Sequence, residues 1–269
     1  MRAIARVLEV SRSNLIEKLQ AKSKKPKTYN KDIKIVESIK EIVSNRPSYG
    51  YRRVNVFLNA KLSNKINHKR VYRLMKEEKL LLTKAPKKPT RTHDGTIVVP
   101  IRNTRWCSDA FTIQCENGDA VNVVFSVDAC DREVMRYIAT TGGISAEIVR
   151  DLMLETVEYR FGQCNVPVRV QWLSDNGKCY TARETIAFGR KLGLEIRTTP
   201  AYSPESNGIA EALVKTFKRD YVWFGDLSSA EKVMKQLPNW FEDYNNCAPY
   251  KGLKMRSPRE YIKTLKLAS

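Results

Sequence analysis

Between Trp106 and Thr199 the chain writes three strand patterns in succession and then alternates helix and strand, an order that few sheet topologies accommodate. Trp106 to Ile113 alternates apolar and polar residues, Val121 to Val127 is a continuous apolar run, and Val134 to Thr140 is a third strand pattern. Short turns between them predict an antiparallel meander. Ser145 to Phe161 is predicted helical, with Ile148, Val149, Leu152, Met153, Thr156 and Val157 at helical spacing. Val168 to Leu173 then reads as a strand, Ala182 to Leu192 as a helix and Glu195 to Thr199 as a strand. Strands separated by a helix pair in parallel, because the helix carries the chain back across the sheet. Asn207 to Val222 and Ser229 to Tyr244 add two more helices. The expected class is α/β, a mixed sheet with helices on both faces.

Charge divides the chain at the same place. The net charge of the 269 residues is +19. Up to Arg105 there are 27 Lys/Arg against 8 Asp/Glu, and from Trp106 onward 21 against 21, so the whole imbalance belongs to the N-terminal part. A segment that basic suits a phosphate backbone. With 42% hydrophobic residues the chain can bury ordinary cores. It has no long uncharged apolar stretch and no signal-peptide pattern, so an intracellular, cytoplasmic protein is expected, with no membrane partner. The six cysteines include no Cys-x-x-Cys pair and read as reduced structural thiols.

Within the basic part, Ile4 to Leu19 outlines two short helices with Ser11 as a cap, a partial helix-turn-helix over residues 1–21. A lysine-rich linker with Pro26 follows. Residues 30–82 form a second small helical DNA-binding module. Its helices are Ile33 to Val43, one carrying Val54, Phe57, Leu58 and Leu62, and one capped by Asn67 with Val71, Leu74 and Met75 inward. Residues 83–105 read as a basic linker with three prolines. The mixed sheet is then assigned to 106–222, a catalytic core in the order of a ribonuclease-H-like fold, with a C-terminal helical extension over 223–269.

Three acids stand out by position. Asp109 lies in the first strand, Asp175 closes the fourth within Ser174-Asp175-Asn176-Gly177, and Glu211 lies in the helix beginning near Asn207. In a mixed sheet the first and fourth strands can be neighbours, which brings two aspartates to one cation, and a glutamate on the covering helix can complete the cluster. Hard oxygen ligands suit Mg²⁺, and two such ions about 4 Å apart serve both the attacking and the leaving oxygen of a phosphodiester displacement. Without a cation the carboxylates would repel one another. With 21 acids in this half of the chain, position alone does not single these three out.

The strings around them do. Trp106-Cys107-Ser108-Asp109, Trp172-Leu173-Ser174-Asp175-Asn176-Gly177 and Ser203-Pro204-Glu205-Ser206-Asn207-Gly208-Ile209-Ala210-Glu211 resemble the Asp-Asp-Glu core of retroviral-integrase-like transposases. The 35 residues between Asp175 and Glu211 match that family's interval. Tyr49-Gly50-Tyr51-Arg52-Arg53, Lys69 to Met75 and Ser257-Pro258-Arg259-Glu260-Tyr261 are similar to landmarks of the insertion sequence three family's second-reading-frame product, nearest its insertion sequence two subgroup.

The resemblance implies a polynucleotidyl transferase that cleaves DNA at element ends and transfers the freed 3′-hydroxyl, by way of a branched figure-eight and a circle. Asp109, Asp175 and Glu211 would be both the catalytic residues and the ligands of two Mg²⁺ ions, with Mn²⁺ able to substitute. Lys218, seven residues after Glu211, would contact DNA. Arg52, Arg53, Lys69, Arg70 and Arg73 are the expected phosphate contacts of the helical module. Implied partners are element-end and target DNA, further copies of the chain on that DNA, and an upstream-frame product or fused upstream segment. The implied location is the nucleoid of a bacterial cell. The family's histidines after Tyr-Asn near the C-terminus are missing from Tyr244-Asn245-Asn246-Cys247-Ala248-Pro249-Tyr250.

Two other functions fit the same residues: a plain nuclease of this fold, and a DNA-binding regulator without catalysis. Asp128 and Asp131, beside Arg132, read as surface or turn acids rather than ligands. Trp106 reads as a core residue, with base stacking as the alternative. Tyr202, between Pro200 and Pro204, falls in an expected active-site loop and either touches DNA or only shapes that loop.

Overall fold

The computed structural model describes residues 29–62, 64–83, 98–199 and 207–266. The helix-turn-helix expected over 1–21, the residues 84–97 within the linker, and Tyr202 lie outside the described residues.

The first unit is a bundle of three helices, α1 (Tyr29–Asn45), α2 (Tyr51–Lys61) and α3 (His68–Glu77). Asn67 caps α3 by accepting the Lys69 N–H at 2.9 Å. The apolar residues of each helix recur at helical spacing and meet inside, where Ile39, Ile42, Tyr49, Val54, Leu58, Val71, Leu74 and Met75 form a closed core.

The second unit is a five-stranded mixed sheet in the order β3-β2-β1-β4-β5. β1 (Arg105–Gln114), β2 (Ala120–Asp128) and β3 (Val134–Thr140) form the antiparallel meander, with a register shift at Ser126/Val127. β4 (Val170–Ser174) pairs parallel with β1, and β5 (Leu194–Thr198) parallel with β4. α4 (Ala146–Phe161) begins at Ser145, whose hydroxyl accepts the Ile148 N–H, and returns the chain across one face. The helix predicted over 182–192 is α6 (Arg183–Lys191), and a short turn that the sequence did not show, α5 (Lys178–Thr181), precedes it, divided from it at Ala182 where the backbone leaves helical geometry. α7 (Gly208–Asp220), α8 (Ala230–Cys247) and α9 (Pro258–Lys266) complete the described residues.

The period of two along each strand sends alternate side chains to opposite faces. Trp106, Val124, Val170, Trp172 and Leu194 face α4, meeting Val149, Leu152, Met153 and Val157. Phe111, Ile113, Val121, Val123 and Phe125 face the other way, against Leu213 and Phe217 of α7 and Val233, Leu237, Phe241 and Tyr244 of α8. Each large side chain taken fully out of water contributes about 1.5–3 kcal/mol. α8 therefore belongs to the same apolar core as β1 and β2. It also pins the edge strand, because the Asn245 side chain accepts the Val134 N–H and donates to the Val134 carbonyl, both at 2.9 Å. Trp106 is fully buried and stacks on Phe161, as a core residue.

Candidate active site

β1 and β4 run side by side, and their last paired level is Cys107 with Leu173. Asp109 and Asp175 each stand two residues beyond it, at matching height along neighbouring parallel strands. Glu211 lies in the first turn of α7, which covers the same face.

Several local bonds hold these carboxylates. Asp109 Oδ1 accepts the Ala110 N–H at 2.8 Å, and Asp175 Oδ1 accepts the Gly177 N–H at 3.0 Å. A Cβ at Gly177 would sit 3.0 Å from that same oxygen, so a side chain there presses on the carboxylate. Asn176 donates to the Thr199 carbonyl at 2.9 Å and ties the ends of β4 and β5 together. Behind Asp109, the hydroxyls of Ser108 and Tyr180 lie 3.0 Å apart in the core. Asn207, buried just before α7, donates to the Ser108 carbonyl at 3.4 Å and so fastens the start of the Glu211 helix to β1. Asn207 and Tyr180 received no role from the sequence. Asn207 lies inside a quoted motif, which was the available signal, whereas nothing in the pattern linked Tyr180 to Ser108.

Burial pushes the Asp109 carboxyl up to about 6, against the Ala110 hydrogen bond, and the negative charges of Asp175 and Glu211 push it further the same way. Among the described residues no three His, Cys, Asp or Glu side chains stand close enough to enclose a metal ion by themselves. The donor set nonetheless fits a hard divalent cation. Three carboxylates that form no salt bridge among the described residues carry the charge for one, and Mg²⁺ commonly takes only one or two protein carboxylates, leaving its other positions to water and substrate phosphate.

The expected DNA contacts divide. Arg52 and Lys69 are exposed, and Arg52 lies over the Tyr51 ring beside His68 and Tyr72. Arg70 and Arg73 both reach Asp32, at 2.5 and 3.2 Å. Arg53 turns inward to Asp220 at 2.6 Å. Lys218, two turns after Glu211, holds its ammonium 5.7 Å from the centre of the Phe111 ring.

Asp128 and Asp131 are not surface acids: both are fully buried. Their partner is not the adjacent Arg132 but Arg160 of α4, which reaches Asp128 at 3.1 Å, Asp131 at 3.3 Å and Glu133 at 3.0 Å. Arg102 adds a 2.6 Å contact to Asp131, the Asn103 and Cys130 N–H groups donate to Asp128, and the Glu133 N–H donates to Asp131. All six cysteines are free thiols, and burial pushes the Cys107 thiol up to about 12, which keeps it protonated and inert.

Comparison with known proteins agrees with this architecture. An HTH-like domain family model matches residues 30–89, and two integrase core domain models match 100–204 and 192–258. Transposase InsD for insertion element IS2A/D/F/H/I/K of Escherichia coli is 43% identical over 97% of this chain and 90% of its own length. Transposase InsD for insertion element IS2-9 of strain K12 is 43% identical over 97% of this chain and 88% of its own. Among solved structures, the catalytic core domain of BIV integrase aligns with 62% of this chain and 98% of its own, at 18% identity and a TM-score of 0.41. With an integrase core behind an HTH-like unit, and at this identity over nearly its whole length, the chain belongs to the family of IS2 InsD transposases, DNA transposases of the polynucleotidyl transferase class.

Proposed function

We propose that this transposase acts through Asp109, Asp175 and Glu211, which hold two divalent cations, magnesium with manganese able to replace it. The observation that carries the reading is the matched height of Asp109 and Asp175 along adjacent parallel strands, with the negative charges of Asp175 and Glu211 acting on Asp109. Cations bound there would offset the charge that builds on a phosphodiester as it is displaced in line. The chain's own groups do the rest. The Gly177 and Ala110 N–H groups hold one oxygen of Asp175 and of Asp109, and Asn207 anchors the helix of Glu211. Water attacks a phosphodiester at the element end: its oxygen bonds to phosphorus, the bond to the 3′ oxygen breaks, and that oxygen leaves as a hydroxyl. The new 3′-hydroxyl then attacks a second phosphodiester in the same way, so phosphorus changes partner without an external energy source.

The HTH-like unit supplies the grip on DNA. Arg52 and Lys69 are placed to meet phosphates, and Arg70 and Arg73 can exchange Asp32 for them. Lys218 would meet DNA near the site. Joining two element ends calls for more than one copy on the DNA, and an upstream-frame segment would add further end recognition. Such a protein works at the nucleoid. No helix among the described residues is long and apolar enough to cross a membrane.

The test incubates the purified chain with labelled element-end duplex and Mg²⁺, wild type beside Asp175→Asn. Joined strands from the wild type alone support the reading. Nicks without joining would make the protein a nuclease, and salt-sensitive binding without any product would make it a regulator.

A further inference from the structure

The segment Ser48-Tyr49-Gly50-Tyr51-Arg52-Arg53, which enters α2, does not face outward as a whole. It wedges into the corner between α7 and α8. Asp220, the last residue of α7, has a side chain only 2% exposed. It accepts from Arg53 Nη1 at 2.6 Å, from Ser48 Oγ at 2.7 Å and from its neighbour Arg219 at 2.6 and 2.9 Å. Asp243 of α8 takes both terminal nitrogens of Arg46, at 2.5 and 2.7 Å, and the Tyr221 hydroxyl at 2.8 Å. Tyr49 is buried between them, with the Arg53 guanidinium 4.5 Å and the Arg46 guanidinium 5.3 Å from its ring centre. Arg53 Nε also donates to the Pro249 carbonyl at 3.2 Å.

Two features make this more than an incidental contact. Removing Arg53 from Asp220 leaves a buried carboxylate with less compensation, so the pair resists separation and Arg53 is poorly available to phosphate. The carboxylate it holds closes the same 13-residue helix that carries Glu211. A force applied to the three-helix unit therefore arrives at α7 without passing through the linker. We propose that Arg46 and Arg53 are positioning residues which, through Asp243 of α8 and Asp220 of α7, clamp the DNA-gripping unit onto these two helices, so that DNA held by the unit sets the placement of Glu211. The role assigned to Glu211 above underlies this inference.

The clamp is tested in the full chain by exchanging the Arg46 pair: Arg46→Asp, Asp243→Arg, and both together. A duplex carrying the terminal repeat beside the coding sequence serves as probe. Each single reversal lowers the joining rate at saturating duplex by about tenfold or more, while the dissociation constant moves less than about threefold, and the double exchange recovers much of the rate. Loss confined to binding, without recovery in the exchange, would make these residues DNA contacts and overturn the clamp. Unchanged joining by a folded single variant would overturn it equally. If the reversals do not fold, hydrogen exchange on the wild type decides: the duplex slows the amides of Gly208 to Asp220, and Ser48→Ala, which removes one donor to Asp220, weakens that slowing. No slowing refutes the clamp. The same measurement on Asp109→Asn separates the two ideas, since that variant keeps the α7 response if the clamp is right, and full joining by it would sink only the assignment of the acidic site.

Discussion

The sheet carries two groups of three acids, and they are built in opposite ways. Asp128, Asp131 and Glu133, at the end of β2 and the turn after it, are sealed in the interior and answered by Arg160, Arg102, Arg259 and backbone N–H groups. Asp109 within β1, Asp175 just past β4 and Glu211 on α7 form no salt bridge among the described residues, and the charges of Asp175 and Glu211 raise the proton affinity of Asp109. A buried charge must be paired to be tolerated, whereas carboxylates left unpaired at a partly open site are available to a cation from solution. The first group therefore serves the fold, and the second is the one we propose for the chemistry.

The comparison breaks most sharply on catalysis. Asp175→Asn is expected to cut strand joining by at least about 10⁴-fold, above roughly 5 kcal/mol, with an unfolding midpoint equal to or above wild type. Strand-transfer gels beside a melting curve check both halves, and a large loss of stability would place Asp175 with the structural acids. Arg160→Ala should do the reverse, costing about 3–5 kcal/mol in denaturant unfolding because it strands acids in the core. Residual activity should follow the folded fraction. Next, Mg²⁺ should raise the stability of wild type by about 2.7 kcal/mol at a hundred times its dissociation constant and leave Asp175→Asn unmoved. Calorimetry with and without chelator would show this, and equal stabilisation of both proteins would remove the cation from the site.

The smallest effect concerns the acids of the clamp. Burial pushes Asp243 and Asp220 up, but hydrogen bonds from Arg46 and Tyr221 to the first, and from Arg219, Arg53 and Ser48 to the second, with the arginine charges, leave both below the ordinary carboxylate value. Their native forms bind fewer protons than the unfolded chain, so their contribution is present above about pH 4 and fades as the pH falls through the native values. Asp131 acts in the opposite sense, because burial and the Asp128 charge raise it. Asp243→Asn should therefore flatten the acid limb of the stability curve, and a limb unchanged in slope would argue against the clamp.

Much of this was legible in the residues. The alternation of Trp106 to Ile113, the apolar run Val121 to Val127 and the helical spacing after Ser145 led to the right sheet, because period and length are local properties of the chain. Asp109, Asp175 and Glu211 were singled out from the other acids only through their flanking strings. The burial of Asp128 and Asp131 was not, since their partner Arg160 lies about 30 positions away on α4, and the nearby Arg132 was the only candidate a linear reading offers. The ion pair of Arg53 was hidden for the same reason: an arginine in a basic segment looks like a phosphate contact, and its carboxylate neighbour lies 167 positions later. α9 was seen only as a landmark string, Ser257 to Tyr261, because its nine residues are too few to show a period.

The shared core of β1, β2 and α8 also bears on how the protein comes into being. Phe111 and Phe125 leave the ribosome more than a hundred residues ahead of Phe241 and Tyr244, which cover them. At ordinary synthesis rates that interval is roughly ten seconds, during which the meander exposes one apolar face. Helper proteins that shield nascent strands would find their client here, and a message broken before α8 would yield a chain marked for degradation rather than a shorter transposase.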